Sequence, residues 1–140
     1  MIGIICIITA VAAHAETVTP LKISRPDIAG EIFQRKDADQ EIRDGNSYTD
    51  VVTYTSKDST FQTGFYKSGP FHEEIKAPDG YPDDEFLYFI SGSVTLTSSD
   101  GSVVVVNAGE AVTLPKGWTG TFDTQGYTKM YVIHSPERKF

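Results

Sequence analysis

From residue 49 onward the chain alternates between short β-prone runs and turn residues. Val, Ile, Thr, Tyr and Phe fill 49–55, 60–67, 71–76, 85–91, 93–98, 102–107, 110–114, 118–123 and 127–134, while Gly, Pro, Asp and Ser lie between them. Runs of this length and regularity predict antiparallel strands in an all-β sandwich or barrel, not βαβ units. Two runs break the apolar–polar alternation: Phe86-Leu87-Tyr88-Phe89-Ile90 and Val103-Val104-Val105-Val106. A strand with one wet face alternates, so these two are expected to be covered on both sides. The barrel interior covers one side. A second sheet, the N-terminal arm or another subunit covers the other, and a homodimer formed through strand faces is expected.

Ahead of the strands the pattern changes twice. Residues 2–13 carry no charge, and Ala13-His14-Ala15 closes them with a small-x-small pattern before Glu16. That is the layout of a secretory signal cleaved after Ala15, and the apolar run is short for a membrane span. Export to the periplasm or beyond follows, with no membrane attachment of the processed chain. Cys6 is the one cysteine and lies inside this segment, so the processed chain has neither a disulfide nor a Cys–metal site. Residues 16–47 read as an N-terminal arm: Pro20 and Pro26 mark an extended lead-in, 31–42 is a weak candidate for a short helix, and Asp44-Gly45-Asn46 is a turn. The barrel is expected over 48–140.

Composition narrows the function. A hydrophobic fraction of 39% suits one ordinary globular domain among 140 residues. The formal net charge of -7 argues against nucleic acid, whose phosphates call for a basic face. Otherwise the acidity serves solubility.

The stretch Asp83–Gly117 carries the chemistry. Glu85 is followed by six residues and Gly92; Gly109 is followed by five residues and Pro115-Lys116-Gly117. Gly64-Phe65-Tyr66 precedes these motifs, Trp118 follows directly, and Lys129-Met130-Tyr131 lies near the last strand. With these spacings, the region of about residues 50–134 resembles a cupin, and more closely the single-domain group similar to the (S)-ureidoglycine aminohydrolase cupin domain. The resemblance implies an all-β, jelly-roll-like antiparallel barrel. It implies no single reaction, because the fold hosts many chemistries.

The departures from the family pattern matter as much. A metal-binding cupin carries His-x-His before the glutamate and a further His after the second motif. Here those places hold Asp79, Tyr81 and Gly120, and only Glu85 remains of the four ligands. Transition-metal sites of this kind need imidazoles beside the carboxylate, so no metal and no other cofactor is expected. His72 is the one histidine in reach of the mouth, and a solvent-facing role suits it better.

Strand alternation puts Glu85, Leu87 and Phe89 on one face, which the resemblance makes the inner one. Glu85 is then an acid/base or hydrogen-bond group with Lys129 or Lys116 as its cation, or else a structural ion pair. Tyr66, Tyr81 and Trp118 would form an aromatic wall, with Trp118 alternatively plugging the barrel end. Two functions are carried forward. One is an exported module that holds a small polar metabolite with Tyr66, Tyr81, Glu85, Lys116 and Trp118. The other is a metal-independent isomerase, lyase or amidohydrolase acting on a small carbonyl, sugar or ureido compound. Its proton shuttle would be Glu85, with Lys129 or Lys116 steadying negative charge.

Overall fold

The computed structural model describes residues 18–140; the signal segment expected over 1–15 and Cys6 lie outside the described residues. Nine strands account for about half of the described residues: β1 (Asp39–Arg43), β2 (Asn46–Thr55), β3 (Phe61–Ser68), β4 (Phe71–Ile75), β5 (Asp84–Ser98), β6 (Val103–Asn107), β7 (Ala111–Leu114), β8 (Gly120–Thr124) and β9 (Tyr127–His134). All pairings are antiparallel, in the order β1-β2-β3-β9-β5-β8-β4, with β6 and β7 also pairing to β5. The result is a curled antiparallel sheet, in agreement with the barrel expected from the strand pattern.

β5 explains how one sheet curls on itself. The runs 85–91 and 93–98, expected as separate strands, are one strand with a bend. Its first half pairs with β7 and β9, its second with β6 and β8. The register to β9 shifts between Phe89 and Ser91, and Gly92 follows with φ +73°. A β-carbon there would lie 2.1 Å from the carbonyl oxygen of Gly126. Only glycine satisfies both the left-handed backbone and that contact, so Gly92 marks the place where the strand crosses from one sheet face to the other.

Alternation along β5 sends Glu85, Leu87 and Phe89 inward, all buried, and leaves Phe86 and Tyr88 outside. The inner cluster joins Leu87 and Phe89 to Val94, Leu96, Val106, Leu114, Phe122, Tyr127 and Tyr131. A second cluster lies on the outer face, where Ile32 and Phe33 cover Val51 and Phe65, with the Phe33 and Phe65 rings edge to face at 6.4 Å. The arm thus caps part of the sheet. Burial of a side chain the size of Phe65 contributes about 1.5–3 kcal/mol.

The arm itself differs from its sequence expectation. The helix is α1 (Arg25–Ile28), inside the expected lead-in; Ser24 caps it and Asp27 returns a carboxylate to the Ser24 N–H at 2.9 Å. A 3-10 turn at Glu31–Gln34 and β1 occupy the region where a helix was weakly indicated. β1 pairs with β2 through the Asp44-Gly45 turn, and all five of its residues are exposed, so no hydrophobic period announces it. The outer faces of Phe86 (42% exposed), Tyr88 (36%) and Val103–Val105 remain open in the single chain.

Candidate functional site

Residues of β2, β3, β4, β5, β8 and β9 line an open cavity of about 620 Å³. Register assembles its polar floor. Asp50 pairs with Tyr66, Tyr66 with Lys129, and Lys129 with Phe89, so one row crosses four strands on one face. On the same face Tyr131 lies in the next row, opposite Leu87, and Glu85 in the one after it, opposite Ile133. Tyr81 reaches the same floor from the loop before β5. That loop is pinned by two backbone hydrogen bonds of 2.8 Å, from Tyr81 N–H to the Trp118 carbonyl and from Gly117 N–H to the Tyr81 carbonyl.

Two carboxylates organise the floor. Glu85 is 7% exposed, and so is Lys129, whose ammonium donates to Glu85 Oε1 at 3.3 Å. The Tyr81 hydroxyl donates to the other oxygen of Glu85. Lys129 Nζ also lies 5.6 Å and 5.7 Å from the ring centroids of Tyr66 and Tyr127, within cation–π range. Asp50, half-buried, accepts from the Tyr131 hydroxyl at 3.0 Å. Gly64 makes that bond possible: a β-carbon there would fall 2.3 Å from the tip of the Tyr131 ring.

Burial sets the protonation states. It raises the Tyr66 phenol to about 12. It raises Tyr81 and Tyr131 further, with the charges of Glu85 and Asp50 adding to the effect. All three phenols are therefore neutral donors in neutral water. Burial also pushes the Asp50 carboxyl up, against the opposing pull of the Tyr131 hydrogen bond and the Lys129 charge. The floor combines two carboxyl groups, one ammonium and several phenols, a set suited to hydrogen-bonding a polar molecule of sugar or amino-acid size.

Of the residues singled out from sequence, Tyr66, Tyr81, Glu85 and Lys129 all line this cavity. Lys116 and Trp118 do not. Lys116 lies outside, its backbone N–H bound to Asp84 and its ammonium paired with Glu137. Trp118 packs on the inner cluster and donates from Nε1 to Ser98 Oγ at 3.0 Å, with its ring edge toward Tyr81. Although both adjoin the Pro115-Lys116-Gly117 turn, neither lines the cavity: Trp118 stands behind Tyr81. His72 is an exposed rim residue paired with Asp123, which raises its pKa. Asp50, Tyr127 and Tyr131 were not among the sequence candidates. An aspartate flanked by β-formers (Tyr48-Thr49-Asp50-Val51-Val52) is the one local sign of Asp50, since a charged side chain in a half-buried strand needs a reason.

A transition metal does not fit the floor. Of the four positions where a metal-binding cupin has ligands, Gly120 has no side chain and Asp79 is exposed and off the cavity, leaving Tyr81 and Glu85. Among the described residues no three His, Cys, Asp or Glu side chains converge as a metal-holding group.

Residues 55–131 match the family model of the EutQ-like cupin domain. Among solved structures, the Clostridium difficile EutQ protein is 21% identical over 66% of this chain and 71% of that one, with a TM-score of 0.51. A protein of unknown function from Pseudomonas syringae pv. tomato is 21% identical with a TM-score of 0.60, over 69% of this chain but 43% of its own. One from Rhizobium leguminosarum bv. viciae is 17% identical with a TM-score of 0.57, over 84% and 99%. At these identities the likeness establishes the fold alone. No curated protein matches the chain in sequence.

Proposed function

Because this chain belongs to the EutQ-like cupin family, a membership that fixes a barrel and not a reaction, we propose that it is an exported module that binds a small polar metabolite in the barrel cavity. The observation that carries the reading is Glu85: a carboxylate held on a cavity floor, hydrogen-bonded by Tyr81 and paired with Lys129, beside a second carboxyl group at Asp50. A fold needs no such cluster for stability, since an apolar replacement of similar volume serves a core as well or better. Export rests on the uncharged segment 2–13 and its Ala13-His14-Ala15 ending. A homodimer covering the Phe86–Tyr88 face belongs to the same proposal, supported by the exposure of those two rings.

A thermal-shift screen of neutral, cationic and anionic polar metabolites tests the binding reading. Ligands that stabilise the chain should lose their effect in Glu85→Gln and Tyr81→Phe. A ligand that stabilises all three forms equally would place binding elsewhere and refute it.

The second reading, a metal-independent enzyme, is favoured by the Glu85–Lys129 pair itself. Glu85 would exchange a proton with substrate while Lys129 steadies the charge that develops on a carbonyl oxygen. The residue-level resemblance to the (S)-ureidoglycine aminohydrolase cupin domain suggests a ureido compound as substrate. Turnover by the wild-type chain that disappears in a folded Glu85→Gln variant would favour this reading over simple binding.

A further inference from the structure

The charges around the cavity do not balance. Three permanent cations line it, and each already has a carboxylate: Lys129 pairs with Glu85, Arg43 with Glu41 at 2.9 Å, and Arg138 with Asp83; the titratable His72 on the rim is likewise paired, with Asp123. The carboxylates that line it include Asp50, Glu73 and Asp44, and none of these three forms an ion pair among the described residues. Asp50 is the one set into the floor; Glu73 and Asp44 are exposed at the rim. Carboxylates without an ion pair therefore outnumber such cations around the cavity, and the deepest of them is Asp50, whose charge Lys129 offsets only in part.

Asp50 also stands beside aromatic faces. Tyr48 precedes it by two residues on the same strand face and Tyr66 is its cross-strand partner. The rings of Tyr48 and Tyr66 lie 6.1 Å apart, and Tyr48 and Phe71 are also 6.1 Å apart. All three line the cavity. A carboxylate beside electron-rich ring faces is the arrangement that attracts an organic cation. The Tyr48 ring already carries the Arg43 guanidinium at 4.7 Å and the Tyr66 ring lies 5.6 Å from the Lys129 ammonium, so a bound cation would meet the remaining ring surface of these two and Phe71, with Asp50 supplying the charge.

We propose that the cavity takes a small organic ammonium compound, its cationic nitrogen on the Asp50 carboxylate and its alkyl groups against the Tyr48–Tyr66–Phe71 wall. This inference rests on the binding reading above and narrows its ligand class. Neutral and anionic compounds would meet the same phenols without the charge. The pH dependence follows: burial holds the Asp50 carboxyl above its usual range, so acidification protonates it sooner than an ordinary aspartate and weakens cation binding.

The test is an amide-detected NMR titration of the full chain with choline and with 3,3-dimethylbutan-1-ol, its neutral isostere. The proposal expects choline to shift the Tyr48, Asp50 and Tyr66 amides with affinity at least about tenfold above the isostere. It expects that preference to shrink on acidification and to vanish in Asp50→Asn. The wild-type comparison stands even where the variant does not fold. Equal affinities for the two probes at those amides would overturn the ammonium proposal and leave the cavity-binding reading intact. Shifts by neither probe would overturn it as well. In that case a hit from the metabolite screen that is abolished by Glu85→Gln would keep the broader reading, and a screen without one would end both.

Discussion

Replacing Lys129 with methionine keeps most of the side chain's length and removes its charge. Both partners of the Lys129–Glu85 pair are nearly buried, each side chain 9% exposed, and the contact is 3.3 Å. Without Lys129, the Glu85 carboxylate keeps the Tyr81 hydroxyl and loses its one cationic partner among the described residues. Breaking one side of such a pair costs about 3–5 kcal/mol, because a charge is left behind with insufficient solvation. In a domain of this size that lowers Tm by roughly 10–20 °C. Glu85→Gln should cost less. The stranded ammonium keeps the ring faces of Tyr66 and Tyr127 at 5.6 Å and 5.7 Å, which return about 1 kcal/mol. The double variant should recover part of the loss, with a coupling of about 2 kcal/mol or more in the cycle. Urea unfolding of the four proteins measures this. Single losses below about 1 kcal/mol that simply add would refute the claim that the floor holds a desolvated pair, and with it the reason for assigning Glu85 a special environment.

Gly92→Ala should cost more than about 3 kcal/mol or abolish folding, since the new methyl group meets both a left-handed backbone and the Gly126 carbonyl; expression and circular dichroism check this. Tyr81→Phe should lose about 1–2 kcal/mol of stability by denaturant titration, because the Glu85 oxygen it serves is left without that donor. Asp50 is raised by burial, so the fold favours its protonated form: no penalty exists below the ordinary aspartate value of 3.8, and destabilisation grows as pH rises through the higher folded value. Asp50→Asn should therefore gain stability relative to wild type on going from acid to neutral pH, and a difference that stays flat with pH would contradict the assignment. Phe86→Lys should shift a dimer toward monomer in sedimentation velocity while the fold persists, since its side chain points away from the core.

What the sequence reveals here follows from which interactions are local. The strands of residues 49–134 are visible because period-two burial and turn residues act within a few positions. The same alternation puts Glu85, Leu87 and Phe89 on one face, but it is the cupin resemblance that makes that face the inner one. The continuity of β5 through Gly92 is less visible, since a glycine between two apolar runs resembles an ordinary break until the Gly126 carbonyl opposite it is seen. β1 escapes detection because an exposed edge strand buries nothing. Tyr131 and Asp50 meet across 81 positions, and Gly64 clears the space between them, a three-way fit that no local pattern contains. Lys116 and Trp118 show the opposite limit: both are near the motif in sequence, yet one pairs with Glu137 outside and the other packs behind Tyr81, and neither lines the cavity.

The account depends on the floor built by Asp50, Tyr66, Tyr81, Glu85 and Lys129 being a binding surface and not merely a polar patch in the core. A crystal structure of the chain grown with the strongest stabilising metabolite tests this most directly. The account predicts ligand density in hydrogen-bond contact with the Glu85–Lys129–Tyr81 group or with Asp50. Density on the Lys116–Glu137 side of the barrel, with the floor unchanged and touched by water alone, would contradict it.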